Sequence, residues 1–320
     1  QSLGALQITN NTAVTIQSST TTQRILTLTG SVGDEFSIGA SSSVLLTNIT
    51  NSVSIVFATG TGMTGTIAGT LTVAGASSTA TSATANSFIT TGGTGTIVTI
   101  SSTGVINNTA TTNITTNGNV TGSLTSLIFS NGSQYNVSGA TTGAFYIPLA
   151  TWATNSNVIL SGSATTPSTA SNNVQSFGNF VVNLPSLTGT LSFWTTSTTA
   201  IIQGDLVITA AGATGGSGIF RALTSGTLTV NGNVIVTQGR LQSSSSTGTF
   251  NVLGNTTISS NGILEINGGT YNQRGTTFTN DGTLTAVAGS TRLAFAPLTS
   301  IAQTFAGSGT VLTNIGGLSL

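Results

Sequence analysis

Few residues in this sequence of 320 residues could perform acid–base or nucleophilic chemistry. It contains five acids and five arginines, with no Lys, His or Cys. The acids are Asp34, Glu35, Asp205, Glu265 and Asp281. Polysaccharide hydrolysis needs carboxylates held close together, but Asp34 and Glu35 are neighbours in a strand-like run and point to opposite faces. The usual catalytic triads need His or Cys. We therefore predict no enzymatic activity and no catalytic residue.

The charged residues also give no sign of a metal, cofactor or nucleic-acid site. Asp281 lies in the turn sequence Asn280-Asp281-Gly282, which has its own structural explanation. No segment combines an Asp with the glycine spacing of calcium-binding solenoids, although a site made of backbone and Asn carbonyl oxygens stays open. Five dispersed arginines at zero net charge provide no basic stripe. We expect no cofactor, no metal ligand and no nucleic-acid partner.

A group of aromatic residues between residues 130 and 170 is the first place to look for a binding surface. Tyr135, Tyr146 and Trp152 lie there, in a stretch that departs from the pattern of the rest of the chain. The stretch is either an insertion that protrudes or a seam between two halves. Exposed aromatics would form a lateral binding surface. The alternative is that these side chains fill the interior of a widened coil.

The elements that position all of these residues are short strands in a repeat. GTLTVNGNVIV (226–236) aligns with GTFNVLGNTTI (248–258), which gives a period of 22 residues. Each unit holds two five-residue runs in which apolar residues alternate with hydroxyl or amide residues, as in β-strands. Fixed periods of 20 to 50 residues are typical of solenoids. The predicted fold is all-β, a parallel β-helix or β-solenoid that forms an elongated rod.

Regularity along the sequence predicts three segments. Residues 1–129 form less regular coils, residues 130–173 form the insertion or seam, and residues 174–320 form regular coils. At about 20 to 24 residues per coil we expect about 13 to 16 coils, hence a rod about 65–75 Å long. Its interior should contain ladders of Val, Ile, Leu and Phe, with Asn and Thr ladders at the corners.

The surface composition predicts self-association. Charged residues make up 3% of the chain, against about a quarter in ordinary domains, so like charges do not keep copies apart. Lys residues that usually protect sheet edges are missing. No basic and apolar leader opens the sequence, and Gln1 suits a processed, mature end. No stretch is apolar enough for a membrane helix. Thr-x-Thr pairs such as Thr227-Leu228-Thr229 also suggest ice binding, which would require regular coils.

The QSFGNFVVN segment (175–183), its counterpart QSLGALQIT (1–9) and the GTLTV and GNxxI units carry a family resemblance. The chain resembles the large repetitive β-helix surface proteins of Bacteroidota and related bacteria, and more distantly autotransporter passenger domains. The resemblance implies export to the cell surface as an adhesin, fibre or matrix protein. We predict an extracellular structural protein that stacks end to end into a filament or extends an adhesin stalk. Its partners would be further copies of itself or other cell-surface components. The alternative is a binding module that recognises carbohydrate, another surface or ice.

Overall fold

Strands account for all the regular structure in the part of the chain that the computed structural model describes, and no helix occurs there. That part comprises residues 1–18, 23–30, 33–48, 52–58, 62–74, 86–91, 95–109, 119–138, 144–195, 198–286, 291–297, 302–311 and 318–319. Two compact units divide the chain, unit 1 (Gln1–Ile159) and unit 2 (Leu160–Leu320). The boundary falls inside the segment 130–173.

Unit 1 is built of very short strands, two to six residues long. In chain order they are β1 Ser2–Leu3, β2 Leu6–Ile8, β3 Ala13–Ser18, β4 Arg24–Leu28, β5 Gly33–Ile38, β6 Ser43–Asn48, β7 Val53–Phe57, β8 Met63–Ile67, β9 Thr70–Val73, β10 Ser87–Ile89, β11 Ile97–Ile100, β12 Val105–Asn108, β13 Val120–Thr121, β14 Leu127–Phe129, β15 Gln134–Val137, β16 Ala144–Tyr146 and β17 Thr151–Trp152. Strand β18 (Asn157–Ser161) contains the unit boundary.

The strands of unit 1, apart from β16, form three parallel sheets. Their orders are β1-β4-β7-β10-β13, β2-β5-β8-β11-β14-β17 and β3-β6-β9-β12-β15. Successive strands along the chain therefore lie in different sheets, and each turn of the chain adds one strand to each sheet. We call one such turn a coil. In the second sheet, for example, Leu6 lies opposite Phe36 and Ile8 lies opposite Ile38. The prediction of a parallel β-solenoid is confirmed.

Unit 2 contains the remaining strands. They are β19 Ser168–Ser171, β20 Ser176–Phe177, β21 Asn179–Leu184, β22 Thr190–Trp194, β23 Thr198–Ile202, β24 Leu206–Ala211, β25 Ile219–Leu223, β26 Gly226–Val230, β27 Val234–Gln242, β28 Thr249–Val252, β29 Thr256–Ile266, β30 Thr270–Gln273, β31 Thr277–Asn280, β32 Thr283–Ala286, β33 Arg292–Phe295, β34 Thr304–Ala306, β35 Thr310–Val311 and β36 Leu318–Ser319.

The coils of unit 2 also have three faces. The first is β20-β23-β26-β28-β30-β33-β36, and the second is β21-β24-β27-β29-β31-β34. On the third face β22 pairs with β25 and β25 with β27, while β29 pairs with β32 and β32 with β35. Strands β27 and β29 run across two faces. In β27 the chain bends at Gly239, which has φ +80° and whose added Cβ would lie 2.1 Å from the Ala211 carbonyl oxygen. Only glycine fits that bend.

Coil length varies more than the sequence predicts. Thr227 pairs with Thr249, as the repeat alignment requires, and the hydrogen-bonded pair Asn233 and Asn255 is 22 residues apart. In unit 1, however, contacts between adjacent coils span 29 residues at one position and 35 at another. The expectation of 20 to 24 residues per coil is therefore wrong for unit 1. It also fails in part of unit 2, where Asp205 and Asn233 of adjacent coils are 28 residues apart. The extra residues lie between strands, where longer loops cost little free energy and leave the sheets undisturbed.

Interior side chains form ladders along each sheet. In unit 1 one ladder consists of Ile8, Ile38, Ile67, Ile100, Phe129 and Trp152. In unit 2 an equivalent ladder consists of Ala200, Leu228, Phe250, Tyr271 and Leu293. These side chains are almost wholly buried. Fully burying each large one stabilises the fold by about 1.5–3 kcal/mol, so the ladders explain why the strands stack.

Candidate functional site

The predicted aromatic residues are core residues. Tyr135 follows Val44, Leu71 and Ile106 in an interior ladder of unit 1. Trp152 stacks on Phe129 with ring centroids 4.1 Å apart and an interplanar angle of 13°, and Tyr146 is also buried. The strands that carry Tyr135 and Trp152 continue the sheets. A lateral binding surface made of these three side chains is therefore not formed, and the aromatics fill the coil interior.

A buried hydrogen-bond network holds Tyr135 in place. Its hydroxyl donates to the Tyr146 carbonyl oxygen at 2.7 Å and accepts a hydrogen bond from Asn108 Nδ2 at 3.1 Å. Burial raises the pKa of the Tyr135 phenol, and the Asn108 hydrogen bond lowers it to a smaller extent. Burial also raises the pKa of Tyr146. The network therefore ties Tyr135 to the adjacent residues Asn108 and Tyr146 inside the core.

The two acids of unit 1, Asp34 and Glu35, lie at a β-bulge. Asp34 pairs with Thr64 and Phe36 with Gly65, so Glu35 is the extra residue. Its side chain is 3% exposed, and its carboxylate accepts a hydrogen bond from the Thr64 N–H at 2.7 Å. The exposed Asp34 accepts from the Thr64 hydroxyl at 3.2 Å. Both carboxylates therefore accept hydrogen bonds from the same residue of the adjacent coil.

Charged and polar side chains form one further ladder, on the third face of unit 2. Ser192, Arg221, Gln242, Glu265 and Thr285 occupy equivalent positions in successive coils. Arg221 donates to Gln242, Gln242 donates to Glu265, and Arg240 forms an ion pair with Glu265 at 3.1 Å. Gln242 and Glu265 are nearly fully buried. The sequence patterns did not predict this ladder, although Gln242 and Glu265 are 23 residues apart, which is close to the repeat period.

Asn and Asp side chains connect the coils of unit 2 at one corner. The side-chain oxygens of Asn179, Asp205, Asn233 and Asn255 each accept a backbone N–H from the next coil, at 2.6 to 3.0 Å. The last of these N–H groups belongs to Thr277. This corner ladder was predicted for Asn. The carboxylate of Asp205 occupies one position of this ladder. This acid therefore links two adjacent coils.

The terminal coils leave strand edges and core side chains uncovered within the described residues. Strands β1, β2 and β3 lie at the ends of the three sheets of unit 1, and β34, β35 and β36 lie at sheet ends in unit 2. Phe305 in β34 is 48% exposed and Val311 in β35 is 44% exposed, although both occupy ladder positions opposite the buried Phe278 and Leu284.

A groove of about 490 Å³ lies at the first coil of unit 1. Strand β1 pairs with Thr27 and Leu28 of β4. Gln1 continues this pairing, because its amino group donates to the Ile25 carbonyl oxygen at 3.0 Å and its carbonyl oxygen accepts the Thr27 N–H at 2.8 Å. Ile16, Leu26 and Val53 line the groove together with Gln17 and Arg24. The groove therefore has apolar side chains at its floor and polar side chains at its rim. The sequence patterns did not predict it.

Comparisons with protein-family models, curated proteins and solved structures found no match for this chain. Across the described ranges, no three His, Cys, Asp or Glu side chains lie together in a group that could hold a metal ion. The same part of the chain holds no helix of the length and apolarity needed to cross a membrane. Function has to be inferred from the strands and side chains described above.

Proposed function

We propose that this chain is an extracellular structural protein whose coils stack end to end with further copies of itself. Such stacking would build a surface fibre or lengthen an adhesin stalk. The observation that carries the proposal is the exposure of Phe305 and Val311, which are nearly half exposed at ladder positions opposite buried side chains. Unpaired strand edges readily pair with another chain, and covering apolar side chains stabilises the contact.

A contact between coils of two copies would continue the parallel strand pairing that holds the coils of each unit together. With charged residues at 3% of the chain, little repulsion or desolvation cost opposes such a contact. A contact between two different surfaces of identical chains produces filaments when its rotation does not close into a ring.

The hydrogen bonds of the five acids support a structural role. Each of the five carboxylates accepts a hydrogen bond from an adjacent coil or turn. The extracellular location is supported by the absence of Cys and by the resemblance to bacterial surface proteins.

Negative-stain microscopy and sedimentation velocity of the purified chain test the proposal. We expect filaments whose length increases with protein concentration. Phe305→Asp should yield single chains, because it places a charge on the apolar end. The control Thr249→Asp places the same charge on a lateral face, on β28, and should still form filaments. Isolated short particles at every concentration would contradict stacking and favour a stalk segment.

Ice binding is a second candidate, and one observation favours it. Thr199, Thr227, Thr249 and Thr270 lie opposite one another on four consecutive strands of the first face of unit 2. Neighbouring strands are about 4.8 Å apart, so these hydroxyl groups form a regular row. An ice-recrystallisation assay decides the matter: activity that is lost in Thr249→Lys supports this candidate, and inactivity of the wild-type chain excludes it.

A further inference from the structure

Three charged side chains lie together on the outer surface of the third face of unit 2. They are Arg221, Arg240 and Glu265, in a chain that has only five arginines and five acids. Along β27 and β29 they alternate with Leu241 and Leu264, which are fully buried interior residues. Because side chains of a strand alternate between its two sides, the charged side chains project away from the core.

The two arginines are diagonal neighbours on adjacent strands. Ile219 of β25 lies opposite Arg240 of β27, and Arg221 lies opposite Gln242. The Cα atoms of Arg221 and Arg240 are therefore about 8 Å apart, a separation at which two long side chains can reach one ligand group. We call Arg221, Arg240, Gln242 and Glu265 the charged patch.

Both guanidinium groups keep N–H donors that the charged patch does not use. A guanidinium has five such donors. Arg221 donates from Nε to Gln242 and from Nη1 to Ser192 at 3.2 Å. Arg240 donates from Nη1 to Glu265 at 3.1 Å, and its buried Nε has no acceptor within the described ranges. The Arg240 side chain is 31% exposed, so a ligand can reach it from solvent.

The charges of the patch do not cancel. Glu265 provides one negative charge against the two positive charges of the arginines, and it lies nearly buried beneath them. The outward positions beside the patch, in the same two rows of the third face, carry no charge. They are Thr190, Ser192, Ile219, Ile263, Thr283 and Thr285. The patch is therefore a positively charged spot on an otherwise neutral sheet face, which attracts anions.

We propose that the charged patch binds the carboxylate or sulfate groups of an acidic polysaccharide. The planar guanidinium fork donates parallel hydrogen bonds to such oxyanions. Thr190 and Thr283 lie in the Arg240 row on either side of it, and their hydroxyl groups can bond to sugar hydroxyls. A single net charge holds a free anion weakly, whereas a polymer with repeated anions binds several copies of the chain at once. This inference does not depend on end-to-end stacking.

Surface plasmon resonance on immobilised polysaccharides tests the proposal. The wild-type chain is passed over polygalacturonate, which carries carboxylates, over dextran sulfate, and over neutral dextran. We expect binding to at least one acidic polymer and none to dextran, and the binding should weaken as salt is added. The preferred polymer identifies the oxyanion. Absence of binding to both acidic polymers would overturn the proposal.

Substitution of the arginines locates the binding. Arg221→Gln and Arg240→Gln should each weaken binding about tenfold or more, because each removes charge-assisted hydrogen bonds to the ligand. Arg292→Gln is the matched control, because Arg292 is exposed on β33 of the first face and its loss changes the net charge equally. Circular dichroism checks that each variant keeps the β-fold. Equal weakening by Arg292→Gln would mean that only net charge matters, and the proposal would fail.

Glu265→Gln separates ligand binding from structural damage. This substitution removes the carboxylate that competes for Arg240 and keeps an acceptor oxygen for the Gln242 amide. The affinity for the acidic polysaccharide should therefore rise about two- to fivefold. A patch with a structural role alone would give unchanged or weaker binding in this variant, and that result would contradict the proposal.

Discussion

Removal of one side chain from the corner ladder should measure how strongly the coils of unit 2 hold each other. Asn255 Oδ1 accepts the Thr277 N–H at 3.0 Å and the Thr276 hydroxyl at 3.3 Å. Asn255→Ala leaves the Thr277 N–H without this acceptor. An unsatisfied backbone donor in a partly buried site costs about 1–3 kcal/mol. We therefore expect the free energy of unfolding to fall by that amount.

Asn255→Asp is the matched variant, because a carboxylate keeps the acceptor. Asp205 already occupies this ladder and accepts the Asn233 N–H at 2.6 Å. The two carboxylates would lie two coils apart, about 10 Å, where salt screens most of their repulsion. We expect Asn255→Asp to retain nearly all of the stability. Asn261→Ala, which removes an exposed side chain, should change little.

Hydrogen exchange at the Thr277 amide is the most specific assay, with urea unfolding as the global measure. A loss of about 1–3 kcal/mol corresponds to exchange about 5 to 150 times faster. Unchanged Thr277 exchange in Asn255→Ala would refute the reasoning. So would equal damage from Asn255→Asp and Asn255→Ala, because the acceptor atom would then be irrelevant.

Three further predictions concern the interior and the turns of unit 2. Burial raises the pKa of Tyr271, so the folded chain keeps a proton that the unfolded chain releases above about pH 10. The free energy of unfolding should therefore fall as pH rises above about 10. Phenolate absorbance should appear together with unfolding. Gly269→Ala should destabilise the fold by at least about 1–2 kcal/mol, because φ is +72° and the new Cβ would lie 2.0 Å from a carbonyl oxygen. The control is Gly4→Ala, because nothing lies within 4 Å of the Cβ added there. Equal melting temperatures of the two variants would contradict the prediction. Glu265→Ala should cost about 1–3 kcal/mol, because it leaves the buried Gln242 amide without its acceptor, whereas the ion pair with the partly exposed Arg240 adds little. Glu265→Gln, which keeps an acceptor oxygen, should cost less; urea unfolding of both variants decides, and a neutral Glu265→Ala would refute the argument.

The fold was predictable because alternating apolar and polar residues indicate strands, and a repeat period indicates that these strands stack in coils. Thr227 and Thr249 pair as their alignment requires, and Leu228 and Phe250 are interior residues, as the alternation indicates. The coil lengths of unit 1 were not predictable from that period. Residues inserted between strands change the spacing in sequence while the register in the sheet stays the same, as for Val105 opposite Thr70.

The candidate site was predicted less well than the fold. Tyr135 and Trp152 attract attention because aromatics are rare in this chain, but rarity does not distinguish an exposed side chain from a core one. Their ladder positions beside Ile106 and Phe129 become visible only when the register is known.

Diffraction from aligned filaments of the wild-type chain is the most direct measurement of end-to-end stacking. Strands that lie across the filament give a spacing of about 4.7–4.9 Å along its long axis. The proposed stacking of coils predicts this spacing on the fibre axis, continuous from one copy to the next. A spacing perpendicular to the axis would mean that the copies associate side by side, which would contradict the account.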